Sequence, residues 1–497
     1  MKSQFNYNAI LFLIMFSFLS NFASCTKKND PIVDHNPPPE TGPSITLAAG
    51  PTLTADFSVN NGIGHPYVFG EGGAPKDAVT ATNMVSQGFT LKRTACDMDW
   101  LLGDPQYITL EDYKNDVNGI RTNPAKVWLS NSNELINYGS KGMKFIAILG
   151  YVPTWLSFSP NSHNGVPKDW SVWEELVQKV YLKYKTYNCV EYIEIWNEPS
   201  GEFLDLTGSP YTSKLTAYKD IYYHTVKAIH AVDTTIIPLG GPTAGNPRAD
   251  GTAWADSMLS DPRIAKDVNF FSYHFYSKGS AGSESDSSII ANWKAVATKY
   301  GKPDMPIFIT EWNSSYNKEI IRLNDDSPEA ISFVGKRLTD FYVNHLFGAT
   351  IFTMGQRSEW ATSMCGIFED GTFMPKVRTF YLMSKVLSLG KGESALKQTI
   401  WTAGQNGQNI TNAGSAITVD NQKVVWMTND TQDTLRVSMI IKGLIPSTQY
   451  SASVWEASAT NTTQSERQSI KFRADKTGKG GFQFAVASKS VTGIILK

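Results

Sequence analysis

From about residue 65 the chain alternates short apolar runs with longer amphipathic stretches. The short runs are rich in β-branched and aromatic residues and read as strands at 67–70, 90–94, 144–149, 190–196, 235–240, 268–273, 305–310 and 349–354. Helical spacing fills the intervals at 77–88, 126–139, 170–187, 214–232, 288–300 and 328–346. In the segment 170–187, Trp173, Leu176, Val177 and Val180 recur at i, i+3, i+4 and i+7, a stripe that predicts core packing. Alternating units of this kind predict a parallel sheet covered by helices. Eight of them are the number that closes a (β/α)8 TIM barrel. The rival is an open doubly wound sheet, which usually carries a glycine-rich phosphate loop after its first strand. Gly70-Glu71-Gly72-Gly73 stands there but does not match GxGxxG.

After the eighth unit, 376–389 reads as a closing helix, and from about residue 394 the pattern changes. Segments 416–420, 423–428, 435–441, 450–456, 469–473 and 482–487 are short, rich in Val, Ile, Tyr, Trp and Thr, and separated by Gly, Asn and Asp. Repeated short strands without helices predict an appended C-terminal β-sandwich over 393–497. Segment 44–61 alternates in the same way and is expected to add strands to that sandwich. The barrel then occupies 62–392.

The N-terminus reads as a processing signal and not as part of the fold. Lys2 precedes a short apolar core, 9–20, too short to span a bilayer comfortably. Phe22-Ala23-Ser24-Cys25 resembles the lipobox of bacterial lipoproteins, so 1–25 is expected to be a signal peptide with lipidation at Cys25, an ordinary secretory signal being the alternative. The polar, Pro-rich 26–43 reads as a tether. The expected location is outside the cytoplasm, lipid-anchored to the outer membrane on either face, or secreted.

The apolar fraction of 41% excludes a disordered chain. The 45 Lys+Arg and 46 Asp+Glu leave a net charge of −1, which gives no support to a nucleic-acid-binding surface. Beyond Cys25, Cys96, Cys189 and Cys365 are far apart, with no CxxC or nearby His cluster, and define neither a disulfide framework nor a zinc site. Buried thiols or one disulfide among them remain open.

In such barrels the chemistry sits at the C-terminal ends of the strands. Strand four ends Glu194-Ile195-Trp196-Asn197-Glu198-Pro199 and strand seven ends Ile309-Thr310-Glu311-Trp312-Asn313, so each delivers a Glu to the mouth. Strands three apart around an eight-strand ring face each other across the opening. Two opposed carboxyl groups are what glycoside hydrolysis needs, one protonated toward the leaving oxygen and one ionised. Unequal surroundings split their pKa values. Asn197 is placed to donate to a sugar 2-OH. Arg93 ends strand two, and either supports Glu311 or pairs with Glu194 inside the barrel. Candidate sugar platforms are Trp155, Trp312 and Trp360, each with an apolar face for C–H groups. Tyr151 shares the loop of Trp155, and Arg357 is a candidate for binding a sugar carboxylate.

Ile195-Trp196-Asn197-Glu198-Pro199, followed by Glu311, resembles the motif pair of clan A, the retaining glycosidases built on (β/α)8 barrels. Within it the string from Ile309 to Tyr316, Gly240-Gly241-Pro242-Thr243-Ala244-Gly245 and Tyr273-His274-Phe275-Tyr276 resemble glycoside hydrolase family 39, the β-xylosidases and α-L-iduronidases. The likeness spans roughly 62–389, and an appended sandwich fits it. It implies Glu198 as general acid/base, Glu311 as nucleophile, Asn197 on the 2-OH, and His274 and Tyr276 beside the nucleophile. Three positions depart from the family: Ala95 stands where a His is common, Ser200 where Asn is usual, and 355–360 lacks an acidic Trp-rich stretch. They frame the first sugar subsite, so the resemblance does not fix the sugar.

The expectation is therefore a retaining glycoside hydrolase with a carbohydrate substrate, no cofactor and no metal, no nucleic-acid partner, and membrane contact only through the lipid. A non-catalytic glycan-binding lipoprotein, a transglycosylase on the same barrel and an adhesion protein are the alternatives. The sequence is silent on the oligomeric state.

Overall fold

The computed structural model describes residues 50–497 apart from 97, 99–106, 161, 278–284, 315–326, 357–364, 369 and 463, and gives no side-chain placement for 95 and 96. The expected signal, Cys25, the tether and the start of the N-terminal strand segment lie outside the described residues. So do Arg357, Trp360, Ser315 and Tyr316. Cys189 and Cys365 are buried thiols, in no disulfide among the described residues.

The chain enters through β1 (Thr52–Gly64) and then builds eight parallel strands: β2 (Gly70–Gly72), β3 (Leu91–Cys96), β4 (Lys144–Leu149), β5 (Val190–Ile195), β6 (Leu239–Gly240), β7 (Phe271–Tyr276), β8 (Ile307–Asn313) and β9 (Gly348–Phe352). Their order is β6-β5-β4-β3-β2-β9-β8-β7. A parallel bridge from Gly240 to Phe270 joins the two ends and closes the barrel. The helices between them include α1 (Ala78–Ser86), α2 (Leu110–Lys114), α3 (Ser132–Gly139), α4 (Trp170–Lys185), α5 (Lys214–His230), α6 (Ala249–Leu259), α7 (Asp286–Lys299) and α8 (Pro328–Val343), with α9 (Val377–Leu387) after the last strand. Asp77 caps α1 and Asp169 caps α4 through their carboxylates. The stripe of α4 is buried as its spacing predicts.

Two expected strands are shorter or displaced. The run 67–70 opens as a single helical turn at Pro66–Val68, because Pro is favoured at the first position of a turn of helix, and pairing begins only at Gly70. The run 235–240 pairs only at Leu239–Gly240, since Pro238 and Pro242 cannot donate to a ladder.

The barrel interior is layered. Leu91, Ile146, Phe270 and Phe308, packed with Tyr67, Tyr192 and Phe347, form an apolar plug at its lower end. Further up the strands Arg93, Glu194, Thr310 and His274 form a polar layer, all buried. The plug leaves a polar layer with one way out, toward the mouth.

The remaining strands are β10 (Ser394–Thr402), β11 (Asn412–Ile417), β12 (Lys423–Asn429), β13 (Leu435–Lys442), β14 (Gln449–Ala457), β15 (Glu466–Arg473), β16 (Gly480–Val486) and β17 (Ser490–Leu496). With β1 they form one nine-stranded sheet, ordered β15-β14-β17-β12-β11-β10-β1-β13-β16. β1 lies antiparallel to β10 and parallel to β13. The sheet folds over its own core, and its two edge strands meet through Phe472 and Phe482, with ring centroids 5.2 Å apart. That is the expected β-sandwich, with β10 and β17 as strands the alternation did not mark.

The sandwich seats on α8 and α9. The Trp426 indole N–H donates to Thr339 Oγ1 at 3.1 Å, its ring meets Tyr342 edge-on, and Gly414 leaves the space that the indole fills. Trp426→Ala empties a fully buried site at this seam. It should cost about 3–5 kcal/mol and separate the unfolding of sandwich and barrel into two transitions, read by calorimetry; a single transition at the parent temperature would show that the indole is not the pin.

Candidate active site

Arg93 is the centre of the polar layer. Its Nε donates to Glu194 Oε2 at 2.6 Å, Nη1 to Glu311 Oε1 at 2.7 Å and Nη2 to Asn197 Oδ1 at 2.7 Å. The two roles left open by the sequence are therefore held at once. Burial opposes the guanidinium charge, but Glu194 and Glu311 outweigh it, so the pKa moves up and Arg93 stays a cation. Glu194 is fully buried, and a carboxylate there is tolerable only because Arg93 meets it.

Glu198 and Glu311 face each other above this cation. One oxygen of each, with Nδ1 of His274, fall within 4.8 Å of one another. Glu311 accepts from Arg93 and from the Tyr276 hydroxyl, the latter at 2.5 Å. Burial, then the charge of Glu311, push the Tyr276 pKa well up, so its hydroxyl remains a donor. Two donors on one carboxylate fix its orientation toward the cavity.

His274 lies between the two carboxylates. Its Nδ1 lies 2.5 Å from Glu198 Oε1 and 3.4 Å from Glu311 Oε2, so it serves the first carboxylate more closely than the second. Nε2 is buried with no hydrogen-bond partner among the described residues. Nδ1 carries the proton that is donated to the Glu198 carboxylate. For Glu198 burial is the largest influence and pushes its pKa up. The His274 hydrogen bond and charge, with Arg93, together outweigh it and hold the pKa below the usual range.

Backbone irregularities aim these groups. Between β7 and β8 the register skips Thr310, so Tyr273 faces Ile309 while His274 faces Glu311. The extra residue turns Glu311 inward against strict alternation and sends Trp312 outward. Past β5, Trp196 and Glu198 take left-handed φ values of 74° and 42°, an arrangement that costs energy and recurs at functional sites. The turn is pinned where the Trp196 indole donates to the Phe203 carbonyl and Lys214 to the Gly201 carbonyl. Gly245 is needed beside it: a Cβ there would lie 2.8 Å from the Glu198 carboxyl carbon.

A cavity of about 390 Å³ opens beside the pair, lined by Arg93, Asn197, Glu311, Tyr151, Phe203 and Phe352 among others. Two expected sugar platforms are not in it. Trp312 is fully buried on the helix side, packed on Phe341 at 5.4 Å and under the Arg337 guanidinium, because the β8 bulge turns it outward. Trp155 is also buried, stacked on Tyr113 at 5.0 Å beneath the loop after β3. The aromatic rings that do line the cavity are Tyr151, Phe203 and Phe352. Phe203 follows Glu198 by five residues in the same mouth loop, a position the motif alone does not mark.

Glu198, His274 and Glu311 bring enough donors together to attract a cation. Arg93, 2.7 Å from Glu311, already supplies positive charge there and disfavours a second one.

A family model described as Cellulase (glycosyl hydrolase family 5) matches residues 55–356. No curated protein matches the chain. Among solved structures, the chain resembles a glucosidase from Croceicoccus marinus at 16% identity, covering 90% of this chain and 98% of that one with a TM-score of 0.63. A GH39 enzyme from Xanthomonas axonopodis pv. citri is similar at 14% identity, over 92% and 99% of the two chains, with a TM-score of 0.64. A monomeric β-xylosidase from Caulobacter crescentus CB15 gives 14%, 90% and 99%, and 0.62. The expected likeness to family 39 is thus met in architecture, barrel and sandwich together.

His274→Asn removes the group that most lowers the Glu198 pKa. That pKa should rise, read as an upward shift of one carboxyl carbon in an NMR titration; an unchanged or falling value would show that His274 does not hold the Glu198 charge.

Proposed function

The chain belongs to the cellulase family, glycosyl hydrolase family 5, and from that premise we propose that it cleaves O-glycosidic bonds of a poly- or oligosaccharide by double displacement with retention. The observation that carries this reading is the approach of Glu198 and Glu311 oxygens to within 4.8 Å. Retaining enzymes hold their carboxyl groups about 5–5.5 Å apart, whereas inverting ones need about 6.5–9.5 Å to admit a water.

Glu311, oriented by hydrogen bonds from Arg93 and Tyr276, attacks the anomeric carbon as the leaving oxygen takes a proton from Glu198. The bond formed is an ester between Glu311 and the sugar. Among the described residues Glu198 has one hydrogen-bond donor, His274, and its side chain is 22% exposed, so it can pick up a proton from solvent before substrate closes the site. Forming the ester removes the negative charge of Glu311, which lowers the Glu198 pKa and turns it into the base for the incoming water. The Asn197 carbonyl is taken by Arg93, which fixes the amide and turns its N–H side, beside the Tyr151 hydroxyl, toward the sugar 2-OH. Interception of the ester by a sugar in place of water would make the same site a transglycosylase. A binding-only protein would have no use for two carboxylates facing each other at this distance.

The N-terminal sequence supports export, with a lipid on Cys25 and residues 26–43 as a tether. Labelling with a radioactive fatty acid, lost in Cys25→Ser, tests it.

On aryl and oligosaccharide β-glucosides and β-xylosides, Glu311→Ala should lose roughly 10³-fold or more of the rate. Glu198→Ala should lose about 10²–10⁴-fold on poor leaving groups, retain the first step on activated aryl glycosides, and regain turnover with azide. The first-formed product should keep the anomeric configuration by NMR. Inverted product, or an active wild type whose rate survives Glu311→Ala, would overturn the mechanism.

A further inference from the structure

The cavity beside Glu311 has one wall made of aromatic rings from two loops, those after β4 and β5. Tyr151, after β4, stands next to Asn197 and is half-buried. The Phe203 ring lies almost parallel to it, at 19° with centroids 6.2 Å apart, and the His163 ring lies on it at 21° and 5.2 Å. These separations belong to laterally offset rings, not to a face-to-face sandwich. The wall is therefore broad. It begins in the polar layer at Tyr151 and reaches the rim at Phe203, which is 37% exposed.

Its rigidity is built in. The Phe203 carbonyl holds the Trp196 indole at 2.5 Å, and the Tyr151 ring meets that indole edge-on at 5.2 Å. The turn that aims Asn197 and Glu198 thus also fixes both rings. An exposed phenyl ring held in place at the mouth of a polar cavity has no packing role that explains its exposure.

We infer that Tyr151 and Phe203 form a sugar platform spanning two consecutive pyranose rings, the inner ring beside Glu311 and Asn197 and the outer one on Phe203. The inference rests on the glycosidase reading and deepens it. The ligand class is a neutral oligosaccharide whose rings present a continuous C–H face, as gluco- and xylo-configured chains do. Axial C–H groups meet the aromatic faces, and equatorial hydroxyls remain for water and for Asn197. The platform and Glu311 line the same cavity, where the sugar that becomes bound to Glu311 must sit. The site is accordingly built to hold a disaccharide unit there more tightly than a single sugar.

The test compares 4-nitrophenyl β-xylobioside and β-cellobioside with the corresponding monosaccharide glycosides. Phe203→Ala should lower kcat/KM for the disaccharide substrates about 10-fold more than for the monosaccharide ones, through KM. Phe203→Tyr should restore the difference. Saturation-transfer NMR on Glu311→Ala protein reads the binding of xylobiose and cellobiose where nothing is cleaved, and the outer sugar ring should lose its contact in the Phe203→Ala double variant. Equal losses on both substrate classes, or an outer ring that keeps its contact, would overturn the platform while leaving the glycosidase reading intact. Disaccharides that bind through Phe203 in a protein whose turnover survives Glu311→Ala would instead overturn that reading.

Discussion

The site depends on one buried cation placed among acids. Arg93 reaches Glu194, Glu311 and Asn197 with three different nitrogens, each at 2.6–2.7 Å. Carboxylates in a low-dielectric layer repel one another and resist ionisation. The guanidinium places a cation between the two it touches, and its planar fork fixes directions as well as charge. A lysine would supply the charge at one point and leave at least one of the three partners unheld. The residue behind the fork matters as much as those in front. Glu194 occupies the Nε edge, so the two terminal nitrogens are aimed at the mouth.

Around this centre the backbone breaks its own regularity where chemistry needs it. Strict alternation along β8 would bury Thr310 and Glu311 on opposite faces and put Trp312 inside. The skipped register at Thr310 reverses the parity from there on. Past β5, left-handed φ values at Trp196 and Glu198 do the corresponding work, and the Trp196 indole anchors the turn that carries both Glu198 and Phe203.

These irregularities also set the limit of what the sequence discloses. The barrel and the pair Glu198 and Glu311 are legible because apolar periodicity and strand-end position are properties of the chain itself. Arg93 is legible as a strand-end cation, though only folding shows that it serves Glu194 and Glu311 together. Trp312 is misread as a sugar platform because period-two alternation cannot see a bulge. Trp155 is misread because proximity to the mouth says nothing about the loop after β3 that covers it through Tyr113. His274 lands nearer Glu198 than Glu311 because its reach depends on the same bulge. Phe203 escapes notice since a lone aromatic in a loop has no pattern.

The sandwich takes its place in this chain of constraints through α8. Trp426 and Asn412 on the sandwich bond to Thr339 and Asp340 on that helix. Three residues before Asp340, Arg337 on the same helix is fully buried. It pairs with Asp286 at 2.7 Å, donates to the Ser277 carbonyl at 2.7 Å, and lies over the rings of Phe275 and Trp312 at 4.9 and 5.5 Å. Phe275 sits between His274 and Tyr276, and Trp312 directly follows Glu311. The outward faces of β7 and β8 are thus clamped by one helix whose far side is held by the sandwich. A carboxylate that must approach an anomeric carbon within a few tenths of an ångström gains from such backing. The outward turn of Trp312 that removes it from the cavity is also what gives the nucleophile's strand its grip on α8.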